Sequence, residues 1–263
     1  MPEVSANGEG ATLYVIPGSH ACRTAMLMLE HKGIPYRRVE LVTGMHPMAV
    51  RALGFAGHRE PIRKVDGRTH RWLAMIDRAG TVPALRYGSA RVQANIPIAR
   101  FLDEVRPDPP LLPAGAGRDE VLEAERWGDE VLQMAARRIV LGAASRDIGE
   151  LCGRGGAGRL GALLAGNLPM RIVSSRMAGF TFRANPDGEA RLLAELPAMF
   201  DRVDEWIAAG VLDGTELNAA DFMIAPSLAL LSYRHDLAPE IASRPLGHPV
   251  DRLLPDLAAA ASG

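Results

Sequence analysis

The chain has 263 residues, 48% hydrophobic, 23% charged and 5% aromatic, a composition that buries a core without staples. Two distant cysteines, Cys22 and Cys152, exclude a disulfide framework and a Cys-only zinc site, while no apolar run reaches the ~18 residues of a membrane span and no basic-then-apolar leader opens the chain, so a cytoplasmic protein without membrane contact is expected. The formal net charge of -1 conceals a split, since residues 1–110 carry 15 basic against 10 acidic side chains and residues 111–263 carry 15 against 21. Only Lys32 and Lys64 are lysines, and the arginines are scattered, which argues against nucleic acid as a partner.

Residues 1–11 are small and polar and read as a disordered tail. Thr12–Ile16 is a short apolar run stopped by Pro17-Gly18, a buried strand. Ser19 then stands at a helix N-cap, Ala21–His31 carries an apolar face, Lys32 falls in the last turn, Gly33 suits the left-handed position beyond it, and Pro35 blocks continuation. Tyr36–Val42 alternates as a second strand, paired in parallel with the first. Residues 43–80 are broken by His46-Pro47 and Gly54–Gly57, with one helix expected over Thr69–Ala79 around Trp72, Leu73 and Ile76. Between Arg51 and Arg91 nine basic side chains face three acidic ones, either a solvated face or a cradle for an anion. Thr81–Tyr87 and Ala90–Val92 form a hairpin around Gly88-Ser89, and a helix runs from Asn95 to Glu104.

The Pro- and Gly-rich stretch 107–117 is the expected linker, dividing a first domain, 12–106, from a second, 118–263. Helical spacing governs the second: Val121, Ala124, Val131, Leu132 and Ala135, then Leu192, Leu196, Phe200, Val203 and Ile207. Asn218-Ala219-Ala220-Asp221, flanked by Leu217 and Phe222, has the pattern of a capping box with a hydrophobic staple at the start of a buried helix. Residues 149–170 are Gly-rich without a clear period, and Gly153–Gly158 lacks the strand and the Lys-Ser/Thr of a phosphate loop. His46, His58 and His70 are spaced too widely for a compact metal motif, so no metal is expected.

Several of these segments in this order carry a family likeness. Leu13–Ser19 leading into Cys22–Tyr36, then Thr81-Val82-Pro83-Ala84-Leu85, Ile98–Glu104 and Leu217–Phe222, resemble the glutathione transferase family over about nine tenths of the chain. The resemblance implies an α/β plus all-α architecture, a thioredoxin-like βαβ-α-ββα domain followed by an all-helical bundle. It also implies glutathione as cosubstrate, a small apolar electrophile as the other partner, a detoxifying transferase role, a homodimer, and no nucleic acid, membrane or metal. Ser19 is then the group acting on the glutathione sulfur, a duty compatible with capping a helix. Ser19-His20-Ala21-Cys22 looks like a Cys-x-x-Cys motif without its first thiol, which excludes dithiol exchange. Cys22 is then either a thiol with a lowered pKa in the first turn or a small packing residue, and His20 either tunes the site or lies on the surface. Val82-Pro83 is implied to be cis, with Val82 presenting its backbone to the tripeptide. Trp127, Val131 and Met134 are implied on the second wall of the cleft. The family usually has Glu or Gln then Ser before the last helix of the first domain, where this chain reads Gln93-Ala94-Asn95: Ala94 cannot accept the γ-glutamyl ammonium, although Asn95 can cap the helix and contact the carboxylate. Alternatives on the same fold are a glutathione-dependent isomerase, ether-cleaving enzyme or dehalogenase, and a non-catalytic interaction or stress-response module.

Overall fold

The computed structural model describes residues 10–59, 62–146 and 179–255. Its one sheet has the order β2-β1-β3-β4, built from β1 (Ala11–Val15), β2 (Arg37–Glu40), β3 (Ala84–Tyr87) and β4 (Ala90–Gln93). β1 runs parallel to β2 and antiparallel to β3, and β3 is antiparallel to β4. Being central, β1 is buried on both faces, and Leu13 lies in register with Leu85 with both side chains fully enclosed. The first strand starts at Ala11, inside the segment expected to be tail; Cys152 and the Gly-rich run at 149–170 lie outside the described residues.

Helix α1 (His20–His31) begins where a side-chain acceptor first appears, the Ser19 hydroxyl accepting from the Cys22 N–H at 3.2 Å. It ends in a Schellman pair, Gly33 N–H to Glu30 O and Ile34 N–H to Leu29 O, which needs the positive φ of +59° that Gly33 adopts. Lys32 is no exposed capping cation: its side chain is fully buried and its ammonium donates to Asp103 Oδ1 at 2.5 Å and to Arg106 O at 2.7 Å. Asp103 also accepts from the Leu111 and Leu112 N–H groups, so one carboxylate clamps the 107–117 segment to the end of α1.

The long connection holds two helices, α2 (His46–Ala52) and α3 (Arg71–Ala79). Pro47, expected to break structure, sits in the first turn of α2, where its missing N–H costs nothing. In α3, Leu73, Ala74 and Asp77 face inward while Trp72 points out.

After α4 (Asn95–Val105) come α5 (Arg118–Trp127), a π-helical turn at Gly128–Leu132, and α6 (Gln133–Arg146). Beyond them lie α7 (Pro186–Ala208), α8 (Ala219–Leu231), α9 (Ala238–Ser243) and α10 (His248–Leu253). Every residue of α8 is buried, and α1, α5, α6 and α10 pack around it. Its capping box is present: Asn218 Oδ1 accepts from the Ala220 N–H, and Asp221 returns a bond to the Asn218 N–H at 2.9 Å. Among the described residues no helix is long and apolar enough to cross a membrane.

Candidate functional site

The end of the sheet meets the helical half in an open cleft enclosing about 510 Å³. Its floor is built by two backbone irregularities. The Val82–Pro83 peptide is cis, as the resemblance implies, and Ala94 holds φ +68°, a costly conformation for a residue with a Cβ. Ala94 stands at the N-cap of α4 with no side-chain acceptor to offer, so the first N–H groups of that helix receive no cap from it. Asn95 follows at 2% exposure, its Oδ1 without a hydrogen-bond partner. An uncapped positive helix end beside an unsatisfied amide is an anion- and zwitterion-binding arrangement.

Gln93 is fully committed elsewhere. Its Nε2 donates to Thr81 O at 2.9 Å and its Oε1 accepts from the Gly57 N–H at 3.0 Å, tying the long connection to the strand before the cis bond.

One side wall is the stretch Ile62-Arg63-Lys64, held by Asp77 of α3. Asp77 Oδ2 accepts from the N–H groups of Ile62 and Arg63, both at 3.2 Å, and Oδ1 accepts from Arg63 Nε at 2.6 Å. The anion cradle foreseen between residues 51 and 91 therefore narrows to Arg63 and Lys64 among the lining residues. Arg51 and Arg91 are bound to the backbone carbonyls of Ala56, Leu53 and Ser89.

The opposite wall comes from the helical half and differs from the one expected. Met134 lines the cleft, but Val131 is exposed and Trp127 packs edge-to-face on Trp206, with ring centroids 5.2 Å apart. In their place stand Asp129, Glu130, Gln133 and Arg137. The π turn adds one residue to the helix between Trp127 and Gln133, rotating the following face by about 100° relative to a continuous 3.6 period. Gln133 bridges the wall: its Nε2 donates to Asp129 Oδ1 at 3.3 Å, and its Oε1 accepts from Arg137 Nη2 at 3.2 Å. Burial, reinforced by Glu125 and Glu130, pushes the Asp129 carboxyl up to about 6. Burial next to Arg63 draws the Arg137 guanidinium down to about 10, so it stays charged at neutral pH.

Ala21, in the first turn of α1, lines the cleft, and Ser19 caps that helix half-buried beside it. His20 and Cys22 turn into the interior. His20 Nε2 bonds the Gln133 carbonyl at 3.2 Å, and burial followed by the charge of Arg137 keeps the imidazole neutral, well below its usual range. It is a strut between the halves, not a surface residue. Cys22 is 2% exposed and burial pushes its thiol up to about 11, the reverse of the lowering expected at a first turn. Thus Val82, Pro83, Ala94 and Asn95 line one cleft together with Ala21 of α1, while Ser19, two residues before Ala21, and His20 and Cys22 are not among its lining residues.

The fold recurs in solved structures. A glutathione S-transferase of Ceriporiopsis subvermispora, in complex with glutathione, superposes at TM-score 0.60 with 18% identity, over 94% of this chain and 96% of that one. A GST-like protein from Pseudomonas syringae gives 0.55 at 20% identity, covering 94% of this chain and 67% of that one. A Rhodospirillum rubrum glutathione S-transferase gives 0.52 at 19%, covering 93% and 92%. The chain has the glutathione transferase fold. No family model and no curated protein matches its sequence.

Proposed function

We propose that the protein is a glutathione-dependent transferase working in the cytoplasm, with residues 12–106 and 118–263 as its two domains and a homodimer as its assembly. The observation that carries this reading is the cleft itself: a cis Val82–Pro83 floor, the open N-terminus of α4 with an unpartnered Asn95 Oδ1, and Asp129 across from them. Glutathione is a tripeptide zwitterion, and these groups suit its γ-glutamyl end. The α4 N–H groups receive the α-carboxylate, and the unpartnered Asn95 Oδ1, an acceptor, receives a donor such as the ammonium. The Asp129 carboxylate accepts the ammonium that Ala94 cannot. The cysteinyl part then lies along Val82, with its sulfur at the start of α1.

A free thiol near pKa 8.5 is mostly protonated at neutral pH, so the enzyme must favour the thiolate. The positive end of α1 and the Ser19 hydroxyl do so. Ser19 Oγ accepts from the Cys22 N–H, which leaves its own proton to donate to sulfur. The thiol proton passes to solvent, sulfur bonds to the electrophilic carbon, and the leaving group departs with its electron pair. Cys22 takes no part in this scheme.

Calorimetric titration with millimolar glutathione and a conjugation assay with a chlorodinitrobenzene test the reading. Ser19→Ala is expected to lower kcat/KM by roughly 10²-fold, the scale of one preorganised oxyanion donor, while Cys22→Ala leaves it within about threefold. Absence of glutathione binding, or equal turnover in Ser19→Ala, overturns it and favours a non-catalytic binding module. Substrate profiling separates conjugation from isomerisation, ether cleavage or dehalogenation.

A further inference from the structure

The second wall carries a cation that the floor of the cleft does not explain. Arg137 lines the cleft with its guanidinium 4.7 Å above the Phe182 ring and Nη2 on Gln133, yet its Nη1 is buried with no hydrogen-bond partner. Among the described residues it makes no ion pair. Arg63, the other guanidinium of the cleft, differs in having an ion-pair partner, Asp77, which its Nε reaches by a hydrogen bond at 2.6 Å although its Nη2, like Arg137 Nη1, makes none. Burying a guanidinium nitrogen without a partner costs far more than leaving it in water, and the cost is relieved when an acceptor arrives. The α4 N-terminus and Asp129 are assigned above to the γ-glutamyl end of glutathione, whereas the charge of Arg137 is felt at Cys22 and His20, in the first turn of α1, where that reading puts the sulfur. The same cleft is lined by the apolar side chains of Ile62, Val82, Pro83 and Met134.

We infer that Arg137 anchors a carboxylate on the second substrate, which is an electrophile with an apolar body and an anionic end, in place of the wholly apolar one that the sequence suggests. This rests on the glutathione reading above. The nearby Gln133 holds the guanidinium through Nη2, so the group is fixed before a ligand enters. For an aryl halide carrying a carboxylate, sulfur forms a bond to the ring carbon, the carbon–chlorine bond breaks, chloride leaves with the electron pair and the thiol proton goes to solvent. The carboxylate stays on Arg137 throughout.

A nitrobenzoate and the corresponding nitrobenzamide, titrated calorimetrically into the glutathione-free protein, differ in charge and little in shape. The benzoate is expected to bind roughly tenfold or more tightly, with Arg137→Gln erasing the difference and Arg137→Lys keeping part of it. In turnover with glutathione, Arg137→Gln should raise KM for a chloronitrobenzoate while KM for glutathione stays within about twofold. Equal affinity of wild type for benzoate and benzamide, or binding of neither at millimolar concentration, overturns the inference without any variant. A rise confined to the glutathione KM overturns it as well, by assigning Arg137 to the tripeptide. Arg137-dependent benzoate binding in a protein that ignores glutathione supports the anion site and sinks the transferase reading alone.

Discussion

Asp129 is the residue on which pH should act. Its carboxyl is raised to about 6, so it is ionised at pH 7.5 and largely protonated at pH 5. Because the proposed partner is an ammonium, which binds the ionised form, glutathione affinity is expected to fall as pH drops through about 6. Titrations between pH 5 and 7.5 check this, and Asp129→Asn should both flatten the profile and weaken binding roughly tenfold or more, the value of a charge-assisted bond. An affinity that stays level across that range would remove Asp129 from the site. Linkage gives the opposite sign for folding in the absence of ligand, since a carboxyl raised by burial costs stability once pH rises above its folded pKa. Ser19 was readable from the chain because N-caps are local: a hydroxyl just ahead of an apolar-periodic run. Asp129 and Arg137 were not, because nothing local distinguishes a cleft-facing charge from a solvated one.

At the scale of elements, α1, the hairpin turn and the start of α8 were legible within a residue, for each is marked by its own cap or turn, while the first hairpin strand begins at Ala84, three residues after the expected Thr81. The second wall keeps Met134 but not the Trp127 and Val131 that the resemblance implies, since the π turn at Gly128–Leu132 shifts the helix face there without leaving a mark in composition. The side wall did leave one, an Asp at a core position of α3: Leu73, Ala74 and Asp77 share the inner face, and a buried acid at such spacing demands backbone or cationic partners. That wall also depends on Gly57. Its φ is +71°, and a Cβ there would stand 2.2 Å from the carbonyl oxygen of Arg78. Gly57→Ala should therefore lower unfolding stability by about 2 kcal/mol or more in denaturant titration, combining left-handed strain with a clash against backbone that has no rotamer to move. A variant as stable as the parent would show that the segment relaxes freely.

For the whole molecule, the charge division at the 107–117 segment is real in sequence, but the joint is held by a specific contact between halves of opposite sign. Lys32 reaches Asp103 and the carbonyls of Arg106 and Pro107 where that segment begins, His20 reaches Gln133, and Asp66 of the long connection pairs with Arg138 and Arg191 of the helical half. Lys32→Met leaves Asp103 and those carbonyls short of a donor. A loss on the order of 3 kcal/mol is expected in chemical denaturation, since one partner of a buried pair is removed while the other stays. Lys32→Arg should recover part of it, and an unchanged midpoint for Lys32→Met would show that the clamp is idle. The lysine count then acquires a use. With Lys32 enclosed and Lys64 exposed on the cleft lining, an acylating reagent meets a single accessible side-chain amine, so a fluorophore attached there becomes a reporter seated at the cleft.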